Sequence, residues 1–110
     1  MTYIEQLGIL AERGILITKN SRSIFELSGF YKSGTVKVNV DEGTIVARYD
    51  EEYSICNNDL VQTLVDINYD WWQRSKDRSA DWKNPDVMWL DLLQEYGLVT
   101  RSDRVITEYK

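Results

Sequence analysis

At 110 residues, 43% of them hydrophobic and 28% charged with a single proline, the chain has the size and make-up of one folded domain, not of a disordered or low-complexity segment. A net charge of −5 and the absence of histidine argue against a phosphate-binding surface, the Ser-His and Cys-His nucleophile pairs and most transition-metal sites. The lone Cys56, an N-terminus without a leader-like charged and apolar pattern, and the lack of a long apolar run lead us to expect a soluble protein of a reducing cytoplasm.

The first predicted element is a helix over residues 2–13. Ile4, Leu7, Leu10 and Ala11 recur at helical spacing, Thr2 can cap the start, and Gly14 can take the left-handed conformation that stops it. The period then changes. Residues 15–18 form a compact β-branched run, 20–22 a polar turn, and 23–31 a second extended stretch. Val36, Val38 and Val40 alternate with Lys37 and Asn39 before Asp41, Glu42 and Gly43 turn the chain into a strand over 44–49, which residues 50–52 are expected to end. Asn57 or Asn58 is expected to cap the longest helix, 59–78. There Leu60, Leu64, Ile67 and Trp71 form one stripe beside Val61, Val65 and Trp72, with Asp66, Asp70 and Gln73 opposite. Asn84 and Pro85 start a last helix that runs to Tyr96, with Gly97 after it, and residues 98–109 add a strand or a hairpin. The order helix, glycine, strand, basic turn thus occurs twice, around Gly14 and Gly97, as expected of a common helix-to-strand transition.

The charge is unevenly spread. Between Asp41 and Asp70 there are eight acids against one base, Arg48, so this stretch carries −7. Such a field repels phosphate backbones and steers basic partners inward. Asp50, Glu51 and Glu52 are adjacent enough to suggest a divalent cation or a carboxylate pair, but a solvated acidic loop is the favoured reading. No glycine-rich phosphate loop is present, and Cys56 lacks basic neighbours that would activate it. No catalytic residue, cofactor or metal is expected, and the chain reads as a non-enzyme.

All four tryptophans fall between residues 71 and 89. Trp71 is expected in the core at the helix end, and Trp89, Leu92, Leu93 and Tyr96 could form the surface that receives it. Trp82 lies in the connection, either folded back or partly exposed. Met88 is a second candidate contact, with core or rim packing the favoured alternative. Beside them Arg74, Lys76, Arg78 and Lys83, interleaved with Trp82, make the one basic patch of an acidic chain. Aromatic rings among such cations can stack bases, although Asp77, Asp81 and Asp86 dilute the patch. Trp, Tyr and Arg are also the residue types enriched in protein-interface hot spots, and this is the favoured reading.

The stretch NYDWWQRSKDRSADWKNPDVMWLDLLQEYGLV, residues 68–99, resembles a block found in small phage-encoded accessory proteins of unknown function, with the pattern N-Y-x-W-W-x-R-S-K-D-R, then W, P-D, W-L-x-L-L and G-L. The element order is also similar to that of some acidic phage anti-CRISPR proteins, an analogy of architecture alone. The resemblance implies a phage or prophage protein acting in the host cytoplasm. The expectation is a single α+β domain, 1–110: a small antiparallel sheet of three or four strands with an N-terminal helix and two C-terminal helices packed on it. Its expected activity is binding a host or phage protein, with inhibition of a bacterial defence or nucleic-acid-handling machine as one form that binding can take. Asp41, Glu42, Asp50, Glu51, Glu52, Asp66 and Asp70 would imitate nucleic-acid charge toward a basic surface. The alternatives are nucleic-acid binding through Arg74, Lys76, Arg78, Trp82 and Lys83, and self-association through an open sheet edge.

Overall fold

A capping box opens the first helix, α1 (Tyr3–Glu12), as the Thr2 hydroxyl accepts from the Glu5 N–H at 3.1 Å and the Thr2 N–H donates to the Glu5 carboxylate at 3.0 Å. These details come from a computed structural model that describes residues 1–31, 34–47, 50–74, 85–95, 97–102 and 105–109, with the backbone alone described at 31, 71–74, 101, 102 and 105–109. Leu7 and Leu10 face inward. Gly14, at φ +92°, donates to Ala11 O and the next residue, Ile15, donates to Leu10 O, so a left-handed residue closes the helix as its sequence predicts.

Five strands follow as an antiparallel meander in chain order: β1 (Ile17–Lys19), β2 (Ile24–Tyr31), β3 (Gly34–Asn39), β4 (Thr44–Val46) and β5 (Glu52–Ser54). The β3–β4 turn forms where expected. The Asn39 side chain accepts the Asp41 and Glu42 N–H groups at 3.0 and 2.9 Å, and Gly43 takes φ +68°. The sheet is nevertheless larger than three or four strands. β4 ends at Val46, short of the expected 44–49, and of residues 50–52, expected to end the strand, Glu52 instead opens β5, which pairs back on β4 with Ile45 opposite Tyr53. Asp50 makes the reversal at φ +57°, a conformation Asp tolerates better than most residues.

The second helix, α2 (Leu60–Arg74), begins one residue later than either asparagine would allow. Asn57 and Asn58 have φ of +54° and +57° and belong to a short 3₁₀ turn, whereas an N-cap needs extended backbone. Asp59 has that backbone, and its carboxylate accepts the Gln62 N–H at 3.0 Å. A tertiary contact adds to it: buried Gln6 of α1 accepts the Leu60 N–H at 2.7 Å and donates to Asn58 O at 2.9 Å. The expected continuation to residue 78 lies outside the described residues. The third helix, α3 (Val87–Glu95), ends as α1 does: Gly97 at φ +72° donates to Gln94 O and Leu98 to Leu93 O. Arg13 and Glu95, at these two helix ends, form a salt bridge that holds the Glu95 carboxyl below its ordinary pKa. β6 (Val99–Ser102) and β7 (Val105–Tyr109) then form a separate two-stranded hairpin.

The main core lies between the sheet and the helices. Leu27, Val36, Val38 and Ile45 of the strands meet Leu7 and Leu10 of α1, Leu60, Leu64 and Ile67 of α2, and Trp89 and Leu92 of α3. A smaller cluster of Val65, Leu90, Leu93 and Val99 seats the C-terminal hairpin. The expected stripe on α2 is thereby realised from Leu60 to Ile67, with Val65 turned to the second cluster and Asp66 to solvent. Trp89 is 1% exposed and meets Phe30 edge-to-face at 5.3 Å between centroids.

A bulge in β2 locks these layers. The register slips between Ser28 and Tyr31, and Gly29 adopts φ +76°. Three successive carbonyls are then bonded from outside the sheet. Ser28 O accepts from the Trp89 indole at 2.9 Å, Gly29 O from the Asp86 N–H at 2.9 Å, and Phe30 O from the Asn68 amide at 3.0 Å. Asn68 is buried, and its bond to Phe30 O gives its amide a partner there.

Candidate protein-docking flank

The acids between 41 and 70 fall into two groups. Asp41 and Glu42 are exposed on the β3–β4 turn. Asp50, Glu51 and Glu52 lie at the other end of β4, because Thr44 pairs with Ser54 and Val46 with Glu52. A three-residue strand separates the groups by roughly 10 Å. Asp66 and Asp70, four apart on α2, join the second group.

Tyr53 is the hub of that second group. Its place on β5 turns the ring toward the main core, and its hydroxyl reaches the Glu51 carboxylate at 2.6 Å and the Asp70 carboxylate at 3.4 Å. A phenol has one proton to donate, so the shorter contact is the hydrogen bond and Asp70 is held nearby. Asp66 is exposed and accepts from the Gln62 side chain at 3.0 Å. Between β5 and α2 runs a groove of about 410 Å³, lined by Glu52, Tyr53, Ser54, Cys56, Thr63, Asp66 and Ile67. Cys56 is exposed at its end, where its N–H donates to the Thr63 hydroxyl at 3.0 Å.

Some carboxylates elsewhere are tied into the fold. Glu26, on β2, accepts from Asn20 and from Thr35, both at 2.9 Å, and these bonds lower its pKa. Among the described residues the carboxylates of Asp41, Glu42, Asp50 and Glu52 accept no hydrogen bond and form no salt bridge. Their charge faces solvent. Among the described residues no three of His, Cys, Asp and Glu are grouped to hold a metal ion. No helix among them is long and apolar enough to cross a membrane.

A second groove, of about 460 Å³, separates α1 from α2 and includes Met1, Ile9, Val61 and Val65. Its buried polar group, Gln6, is committed to the start of α2, so this groove serves the packing of the two helices. Met88 is 47% exposed and packs over Gly14, which makes it a rim residue. Of the alternative basic patch, Arg74 ends α2 with only its backbone described, and Lys76, Arg78, Trp82 and Lys83 lie outside the described residues, as do the side chains of Trp71 and Trp72.

Sequence reasoning missed Tyr53 and the strand that carries it. Glu51, Tyr53 and Ile55 do alternate, but with one aromatic and one aliphatic residue the period-two signal is too short to stand against a run of three acids. Comparison of the chain with protein-family models, with curated proteins and with solved structures finds no match in any of the three.

Proposed function

We propose that this protein is a non-enzymatic binding module, an accessory protein of the kind the 68–99 block suggests, acting in the cytoplasm on a host or phage protein. The partner presents a basic surface of the sort that handles nucleic acid, and the module occupies it by supplying carboxylates where phosphates would sit. One observation carries this reading: Glu51 just before β5, Glu52 on it, and Asp66 and Asp70 of α2 collect on one flank beside the exposed turn at Asp50. A charged flank of this kind accelerates encounter with a cationic partner and repels nucleic acid itself.

The test is capture from a bacterial lysate on the immobilised protein, beside a variant carrying Asp50→Lys, Glu51→Lys and Glu52→Lys together, its fold checked by circular dichroism. The expected result is a basic nucleic-acid-handling protein that raised salt or excess duplex DNA releases and that the folded variant fails to retain. Retention by the variant at wild-type level overturns the reading.

A further inference from the structure

We propose that the partner is engaged as an extended basic segment that adds to the outer edge of β5, at Glu52 and Ser54, as a further strand. The inference rests on the acidic-flank reading above and specifies how that flank is used. The backbone pattern provides the edge. Ala47 N–H donates to Glu51 O and Ile55 N–H to Gly43 O, both at 2.8 Å, on either side of the Ile45 and Tyr53 pair. Residues 51, 53 and 55 therefore turn their backbone groups toward β4, and Glu52 and Ser54 turn theirs outward.

Beyond β4 the sheet order ends at β5, and among the described residues only the Cys56 thiol, 3.6 Å from Ser54 O, approaches these outward groups. An incoming strand finds two N–H and two C=O groups at the correct spacing.

The two faces of that strand meet different surroundings. Glu52 and Ser54 are exposed on one face, where a Lys or Arg opposite Glu52 forms a cross-strand ion pair. On the other face, beside Tyr53, lies the groove over Ile67 and Thr63, with Asp66 at its rim. The geometry selects alternating basic and apolar residues. It also disfavours the obvious rival occupant. A second copy adding edge to edge would bring two acidic flanks together, each with Asp50, Glu52 and Asp66 exposed, the kind of like-charge approach by which edge strands avoid self-association.

The probe is a short synthetic peptide alternating Lys and Val, titrated into the full chain and followed by amide NMR. We expect saturable shifts at Glu52 and Ser54. N-methylation of the Lys amides, which leaves the charge intact and removes the edge-facing N–H groups, weakens binding about tenfold or more. N-methylation of the Val amides, which point away, is tolerated. Ser54→Pro removes an outward donor without breaking a β4 pair and weakens binding by a similar factor.

Equal affinity of the Lys-methylated peptide overturns strand addition and leaves the acidic-flank reading in place. Retained lysate capture by the triple charge-reversal variant sinks that reading instead. A peptide-free dimer by light scattering that Ser54→Pro dissociates assigns the edge to a second copy and overturns the proposal.

Discussion

The β2 bulge and the β5 edge present the same physical problem with opposite outcomes. In each, backbone groups of a strand point away from the regular ladder, and a polar group left dry and unbonded costs about 1–3 kcal/mol. At the bulge the carbonyls of Ser28, Gly29 and Phe30 are met by Trp89, Asp86 and Asn68, each from another element. At β5 the outward groups belong to the exposed residues Glu52 and Ser54 beside an acidic groove, with only the weak contact of the Cys56 thiol at Ser54 O among the described residues. The bulge uses its irregularity to join sheet and helices. Under the strand-addition proposal the edge keeps its hydrogen-bonding capacity for another molecule. Stability and recognition would then be carried by different strands, and variants in one should leave the other unaffected.

The largest separation is expected at Trp89. Replacement by Ala empties a site in the main core and removes the bond to Ser28 O, with an expected loss of about 3–5 kcal/mol in urea unfolding. Trp89→Phe, retaining a ring without the donor, should cost less, and the difference measures the bond. Gly29→Ala comes next. The new Cβ would sit 2.6 Å from the Asp86 carboxylate on a backbone at φ +76°, so about 1–3 kcal/mol is expected by the same measurement. Asn68→Ala leaves Phe30 O without its donor and should lower stability by about 1–3 kcal/mol.

The carboxylates extend the contrast to pH. Hydrogen bonds with the Thr2 backbone and then its side chain hold Glu5 below its ordinary pKa of 4.5. A depressed folded-state pKa adds stability at pH above the unfolded value, and that contribution is lost as pH falls through the lower folded value. Fraying of α1 followed by amide exchange should therefore rise in acid below the ordinary glutamate range. Glu5→Gln, which can still accept from Thr2 but does not titrate, should flatten that dependence. The smallest effect belongs to the edge. Glu52→Lys should change unfolding free energy by no more than about 0.5 kcal/mol while removing lysine-peptide binding, and a larger loss of stability would show that the edge is not separable from the core.

How much of this was legible in the chain differs by element. The helix boundaries set by local chemistry could be read directly: the cap at Thr2, the stops at Gly14 and Gly97, and the inward stripe Leu60, Leu64 and Ile67. The turn after Asn39 was legible for the same reason, since its bonds close within a few residues. The cap of α2 was misplaced because Asn57, Asn58 and Asp59 are all plausible caps by residue type, and backbone conformation together with Gln6 from α1 selects the third. β5 was overlooked because Tyr53 acquires a strand conformation through pairing with Ile45. Glycine at 29 signalled an irregular strand only in retrospect, since its carbonyl partner lies fifty-seven residues away at Asp86.

By itself the sequence determined the α+β class, the helix stops, the amphipathic faces and the concentration of negative charge between Asp41 and Asp70, because each depends on neighbours within one or two turns of chain. Tertiary structure alone decided that Trp89 is buried against Phe30, that β5 closes the sheet, and that the acids divide between the two ends of β4. The burial of Trp89 depends on a contact across a long stretch of chain, and the other two outcomes on the pairing of β5 with β4, which the short, acid-rich segment acquires only once the sheet and helices have met.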